Sequence, residues 1–351
     1  TGSRLPVSSS ALSVSPDGKL VAVVNPDSDS ITLLDAITLT AVSEIAVGDD
    51  PRTLSFTPDS QKVLVANRGS ATLSMVNLSE QVEVAQYPVG PDPYGVITDG
   101  ANAYVAEFAL GEVAVIDLEM GTILNRVAVD PFPAGLALSP DGQQLFVTHF
   151  FDGSLTVIDL QTHMVHARAA SGTGANLSQF VAISPDGRKA YLPQTRSNVT
   201  NTARSFDTTV FPIVNVFEIA DLHLSVKDRI TLDTADEPVN MPFSVALSPD
   251  GTRLYVSNAG SNDVSAIDLT NNKGIAHISV GSNPRGIAIT PNGARLFVNN
   301  VLDGTISVIE TDAFEIIDHI KVTDIPLSQI VLAGKKIFNS ASSPMLTTDN
   351  W

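Results

Sequence analysis

Two short phrases, Asp50-Pro51-Arg52 and Asn283-Pro284-Arg285, set an arginine directly after a proline at matching points of a repeated pattern. A guanidinium held this way can grip a carboxylate or another small anion through two parallel hydrogen bonds. The competing chemistry is local, because either arginine can instead pair with a loop carboxylate such as Asp49 or Asp50. Hydrolysis would need more: an acid, an imidazole and arginines converging on one point. Arg52, Glu107, His149 and Arg285 are the only cast for that role, and no Ser-His-Asp arrangement stands out. No residue is therefore assigned as catalytic.

Other candidates for binding a ligand or partner share the same stretches of the repeat. They are Arg68, Tyr94, Phe151, Gln179, Asn240 and Asn300, joined by Arg196 and Arg204 in a long polar insertion. No metal site is assigned. His163 and His166 lack a carboxylate at ligand spacing, and the Asp27–Asp29 pair lacks the glycine and distal glutamate of a calcium loop. Gly172-Thr173-Gly174 is too short, and lacks the strand-to-helix context, to cradle a phosphate.

Composition narrows the partners. The net charge of −18 argues against nucleic acid and anionic membrane, which both need a positive footprint. With no cysteine, the chain can form neither a disulfide nor a covalent c-type haem link of its own. No apolar run approaches the roughly 20 residues that span a bilayer. The chain begins at Thr1, which reads as a processed product or an excised piece, and a periplasmic or extracellular home is the expectation.

The elements that must position these residues follow from a recurring phrase. Ser15-Pro16-Asp17-Gly18, Thr57-Pro58-Asp59-Ser60, Thr98-Asp99-Gly100, Ser139-Pro140-Asp141-Gly142, Ser184-Pro185-Asp186-Gly187, Ser248-Pro249-Asp250-Gly251 and Thr290-Pro291-Asn292-Gly293 make seven copies. Most lie about 40–45 residues apart, a period that marks propeller architecture. Proline presets the first turn angle, Asp or Asn takes the second position, and glycine supplies the positive φ. Apolar runs flank each turn, such as Leu20 to Val24 and Leu254 to Ser257, and further strands follow a polar loop, such as Ile31 to Asp35. The fold class is all-β, a seven-bladed β-propeller of four-stranded antiparallel blades over residues 1–325. No overlapping closure strand is evident beyond Gly2 to Val7.

Strand order then predicts two faces. The segments entering each first strand share one face with the loops joining second and third strands, and the Pro-Asp-Gly turns share the other. The turns look uniform and structural, so function is expected on the loop face. Blade five carries extra length between Gln194 and Phe211, read as a partner-docking or lid loop on that face.

Arg253-Leu254-Tyr255-Val256-Ser257-Asn258, Asn283-Pro284-Arg285-Gly286-Ile287-Ala288-Ile289 and Leu155-Thr156-Val157-Ile158-Asp159 resemble the YVTN repeat family of propellers over residues 10–325. That family is similar in architecture to WD40 proteins but lacks their Gly-His and Trp-Asp pairs. The resemblance is specific for fold and open as to function.

Residues 326–351 break the pattern. One reading is an eighth blade's first strand at Gln329 to Leu332 and second at Lys336 to Phe338. A better one is that Gly334-Lys335-Lys336-Ile337-Phe338-Asn339, followed by Asp349-Asn350-Trp351, resembles the opening helix of a dihaem cytochrome c peroxidase-like domain. The resemblance implies that these residues begin a truncated cytochrome c-type domain, with c-type haem in an adjoining domain or partner. It also implies a non-catalytic scaffold that docks a haem domain or protein partner on the loop face, as haem-free propellers do in hydrazine-synthase-like assemblies. A small anion in the central channel is compatible with that role. A lactonase-like hydrolase and a cell-surface adhesion module are the alternatives.

Overall fold

Each turn phrase folds as its residues favour. The Ser15 hydroxyl donates to the Asp17 carboxylate at 2.6 Å, and Thr57–Asp59, Ser184–Asp186 and Ser248–Asp250 repeat the contact. Gly18 turns at a φ of +72°, and a Cβ there would stand 3.3 Å from the Pro291 ring of the seventh blade's turn. The turn glycine is thus needed for its backbone angle, and it also lies against a neighbouring proline. Gly100, Gly187, Gly251 and Gly293 meet the preceding blade's proline in the same way, whereas Gly142 of blade four, which follows the proline-less turn of blade three, meets nothing.

The computed structural model describes residues 7–198, 210–232 and 239–341. They form seven antiparallel sheets, six of them made of four consecutive strands. The first blade is Leu12–Val14, Leu20–Asn25, Ser30–Asp35 and Thr40–Ala46. Blades two, three and four span 51–88, 93–128 and 133–169, and blades six and seven span 242–279 and 284–321. Second and third strands are buried along nearly their whole length, whereas a fourth strand such as Val82–Pro88 alternates between exposed and half-buried. That contrast matches sheets packed on both faces near the axis and wetted on one side at the rim.

The core lies between blades. Val24, Leu33 and Ile45 of the first blade pack on Leu54, Val63 and Val65 of the second. The ring closes by the same packing, with Leu12, Val23 and Leu34 against Phe297, Ile306 and Val308 of the seventh blade. Thr32 Oγ1 donates to the Val322 carbonyl at 2.7 Å, and Arg295 Nη1 to the Ala36 carbonyl at 2.8 Å. Among the described residues every blade uses its own strands, and none is exchanged to latch the ring. The segment Val7–Ser10 instead lies inside the channel. Its carbonyls at Val7 and Ser10 accept from Leu138 N–H (2.9 Å) and Leu54 N–H (2.8 Å), joining blades four and two.

Blade five departs from the others. The stretch read as a loop from Gln194 is in part strand: Lys189–Ser197 and Val210–Glu218 pair out to Ser197 and Val210. The hairpin's backbone groups continue the ladder, so the insertion lengthens two strands before residues 199–209, which lie outside the described residues. Residues 326–341 contain one helix, α1 (Gln329–Phe338), capped by the Ser328 hydroxyl, which accepts from Val331 N–H. The eighth-blade reading is therefore wrong: Gln329 to Leu332 and Lys336 to Phe338 are turns of α1.

Candidate functional site

Entry segments and second-to-third-strand loops meet on one face, as strand order requires. Phe108 N–H donates to the Asp92 carbonyl (3.1 Å), Phe150 N–H to Phe132 (3.0 Å) and Ala259 N–H to Met241 (2.9 Å). At the centre stand Arg52, Arg68, Tyr94, Gln179 and Arg285. The Tyr94 hydroxyl donates to Gln179 Oε1 from across the axis. Burial raises the Tyr94 pKa above its ordinary value, and the charges of Arg52, Arg285 and Arg68 act against that rise.

The arginines are partnered differently. Arg52 Nη2 meets Asp50 Oδ2 at 3.1 Å, the local pair that the sequence held open, while its buried Nε has no partner. Arg68 is bridged to Asp92. Among the described residues Arg285 has only neutral acceptors, Asn283 Oδ1 at 2.6 Å and Asn339 Oδ1 at 3.2 Å, and lies 5.2 Å over the Phe243 ring. Burial pulls its pKa below the usual arginine value, and the nearby Arg52 charge adds to that effect. A guanidinium without a carboxylate partner, beside a second one, is an arrangement that favours an arriving anion.

Glu107, His149 and Asn300 do not join this centre. They end the second strands of blades three, four and seven, as Asn25, Asn67 and Asn258 end those of blades one, two and six, and Gln194 holds the matching position in blade five, whose strand runs on to Ser197. All seven side chains are buried and hydrogen-bonded, Gln194 in part to the Gly153 carbonyl of blade four. Asn67 donates to Ser74 Oγ at 2.7 Å, Asn258 to Ser265 Oγ at 2.8 Å and Asn300 to Ser307 Oγ at 2.9 Å. His149 Nε2 makes the equivalent bond to Thr156 Oγ1 at 2.9 Å. In blade three the position seven residues on is Ala114, with no hydroxyl. There Glu107 accepts from Gly90 N–H at 2.7 Å and from Arg126 Nε at 2.9 Å, and Arg126 pairs across the sheet from Ala114. The hydrolytic cast of Arg52, Glu107, His149 and Arg285 therefore does not assemble, because its acid and its imidazole serve the blades' interiors. The recurring Asn/His…Ser/Thr spacing of seven was the sequence signal for this ladder.

The remaining candidates scatter. Asn240 packs against Gly260, whose N–H donates to its carbonyl. Arg196 lies 5.6 Å over the Phe211 ring on the long hairpin, away from the central pair, and Arg204 lies outside the described residues. Phe151 is 59% exposed and belongs to something that residue-by-residue reading missed. Tyr94, Phe108, Phe132, Phe150, Phe151, Phe180 and Phe243 form one chain of ring contacts, from 4.8 Å (Phe132–Phe151) to 6.4 Å (Tyr94–Phe180). Six of the chain's 14 phenylalanines are gathered here, which makes the patch a built feature. Its outer end is exposed at Phe132 and Phe151, and its inner end, Phe180 and Phe243, is buried and packs with Ala259, Tyr94 and Met241.

Segment 329–341 lies over the same face. Lys335 and Lys336 bridge Asp27 and Asp303, each at 2.5 Å, and Ala341 N–H donates to the Gly260 carbonyl at 2.7 Å. Ile330 and Phe338 of α1 are left 86% and 89% exposed. Among the described residues no helix is long and apolar enough to cross a membrane.

The family model described as "Lactonase, 7-bladed beta-propeller" matches residues 2–86 and 212–315, together more than half of the chain. The chain belongs to this family of seven-bladed propellers. No curated protein matches it. Among solved structures, a chain of Kuenenia stuttgartiensis hydrazine synthase is similar, with a TM-score of 0.80 at 22% identity over 86% of this chain and 95% of that one. The Cps50 (Swd1) β-propeller domain of Myceliophteria thermophila is similar with a TM-score of 0.70 at 12% identity, over 88% of this chain and 100% of that one. At such identities both likenesses describe the fold alone.

Proposed function

We propose that this lactonase-family propeller is a binding scaffold that docks a haem protein or an adjoining haem domain on its loop face. The observation that carries this reading is the aromatic chain from Tyr94 to Phe151, exposed at its outer end and set beside Arg52, Arg68 and Arg285. Aromatic anchors next to arginines are the composition that dominates protein–protein binding energy. The likeness to a chain of hydrazine synthase supports a place in a redox assembly. In this reading the protein works outside the cytoplasm, and residues 326–351 lead toward a cytochrome c-type domain. A small anion at Arg285 would complete the charge balance of the face.

A photo-crosslinking residue placed at Phe151 in the native host tests this. An adduct that stains for haem is expected, and none is expected from Met120, which is exposed on a turn of the opposite face. An adduct free of haem would remove the haem partner from the proposal.

Family membership favours a second reading, a hydrolase acting at the channel. Its test is a panel of lactones incubated with the purified chain. A rate above background that Arg285→Ala abolishes would replace the scaffold reading.

A further inference from the structure

A large space lies along the ring's axis below the aromatic cluster, and turn residues of the face that the sequence marked as purely structural line one end of it. Its volume is about 1250 Å³, above the ~300–1,000 Å³ usual for small-molecule sites. Apolar residues of several blades, among them Phe56, Leu138, Val245 and Ile287, make up much of the wall, and Ser8, Ser9, Ser10 and Ser13 line it as well. Phe180 lines it and also packs in the aromatic cluster of the loop face, while Pro16, Pro58, Pro140 and Pro185 of the turns line its other end. Val14, Leu247 and Ile289 lie partly exposed toward that end.

The rim has the opposite character. Six of the seven turns carry an aspartate, and Asp99, Asp141 and Asp186 line that end of the space directly. Hydrogen bonds within the turns, led by the Ser139 and Ser184 hydroxyls, hold the Asp141 and Asp186 carboxyls below the usual range, so both are charged near neutrality. Four cations act on the six: Lys19 pairs with Asp17 at 3.1 Å, Arg188 approaches Asp186 at 3.8 Å, and the charges of Lys62 and Arg253 act on Asp59 and Asp250. The rim therefore stays negative. A mostly apolar chamber behind an anionic ring complements an amphiphile with a positive head and rejects one with a negative head.

We propose that the turn-face channel is a binding site for an organic ammonium ion, its apolar body inside the chamber and its charge at the aspartate rim. This site is separate from the loop face and does not depend on what docks there.

Calorimetric titration of the full chain with octyltrimethylammonium, 1-octanol and octanoate tests it. The ammonium probe binds with one site, about tenfold tighter than octanoate at low salt, a difference of about 1.4 kcal/mol. High salt narrows that preference, since the rim is exposed. Asp141→Asn combined with Asp186→Asn narrows it too, while 1-octanol binding is retained. Ala288→Trp and Ser13→Trp, at partly exposed wall positions, each fill the chamber and abolish binding of the ammonium probe, with folding checked by melting. No binding by wild type, equal binding of octanoate, or binding that survives both folded tryptophan variants overturns the proposal. So does binding that appears only after residues 1–6 are removed, because the chain's own N-terminal segment would then be the occupant.

Discussion

His149 looks like a ligand or a base in the sequence, yet it occupies a position that other blades give to asparagine. Its ring is buried and bonded to Thr156 Oγ1 and to the Pro131 carbonyl. Burial lowers its pKa from the ordinary 6.5, so the folded chain resists protonating it. The unfolded chain takes up that proton near pH 6.5, and the folded one only at lower pH. Its contribution to stability is therefore fully present above about pH 6.5 and is lost as the pH falls below that value. Asn67 and Asn258 bond the hydroxyl seven residues on, and His149→Asn should restore the same bond to Thr156. The variant should lose less stability than wild type between pH 7 and pH 5, read from urea midpoints at each pH. Parallel curves would mean that His149 is not held neutral. Arg285 was legible as a candidate anion ligand, but its lack of a carboxylate partner was not, since that depends on Asn283 and Asn339 reaching it first.

Among the elements, α1 is the least embedded. It buries no residue and rests on the Lys335–Asp27 and Lys336–Asp303 bridges, exposed pairs that each contribute about 0–1 kcal/mol. Removing residues 328–351 should change the stability of the propeller by about 0.5 kcal/mol or less, the range of surface changes. Amides of α1 should exchange with solvent well before those of the blades. A large fall in melting temperature on truncation would show that α1 belongs to the ring after all. Helix formation here was foreshadowed by Gly334-Lys335-Lys336-Ile337-Phe338, but its placement over the loop face was not, because that rests on aspartates about 33 and 308 residues away in sequence.

At the scale of the whole molecule, the ring is closed by packing between blades one and seven, with hydrogen bonds such as Thr32–Val322 and Arg295–Ala36 across the seam. Phe297 is fully buried where the seventh blade meets Leu12 and Val23 of the first. Phe297→Ala should cost about 3–5 kcal/mol, as large core truncations do. If the seven blades form one cooperative unit, the variant melts in a single transition at lower temperature. A separate early transition for blades one and seven would show the closure to be a weak seam. The same closure leaves a lumen, and a lumen with the aromatic cluster at one end and the turns at the other gives the protein two unlike faces.

The amino-acid sequence alone determined the blades, because turn chemistry and strand alternation are local. A Pro-Asp-Gly turn needs only its own residues, and seven of them at one period leave little choice of architecture. Arg52 and Arg285 were visible as equivalent positions for the same reason. The tertiary structure decided where side chains end up around the axis. Glu107 and His149 turned into the blades, six phenylalanines from several blades converged, and a channel formed below them whose other end is lined by the turns. Each of those outcomes depends on contacts between residues far apart in the chain, which no local pattern encodes. The two arginines therefore stand as a cationic centre without acid–base partners, set in an aromatic face.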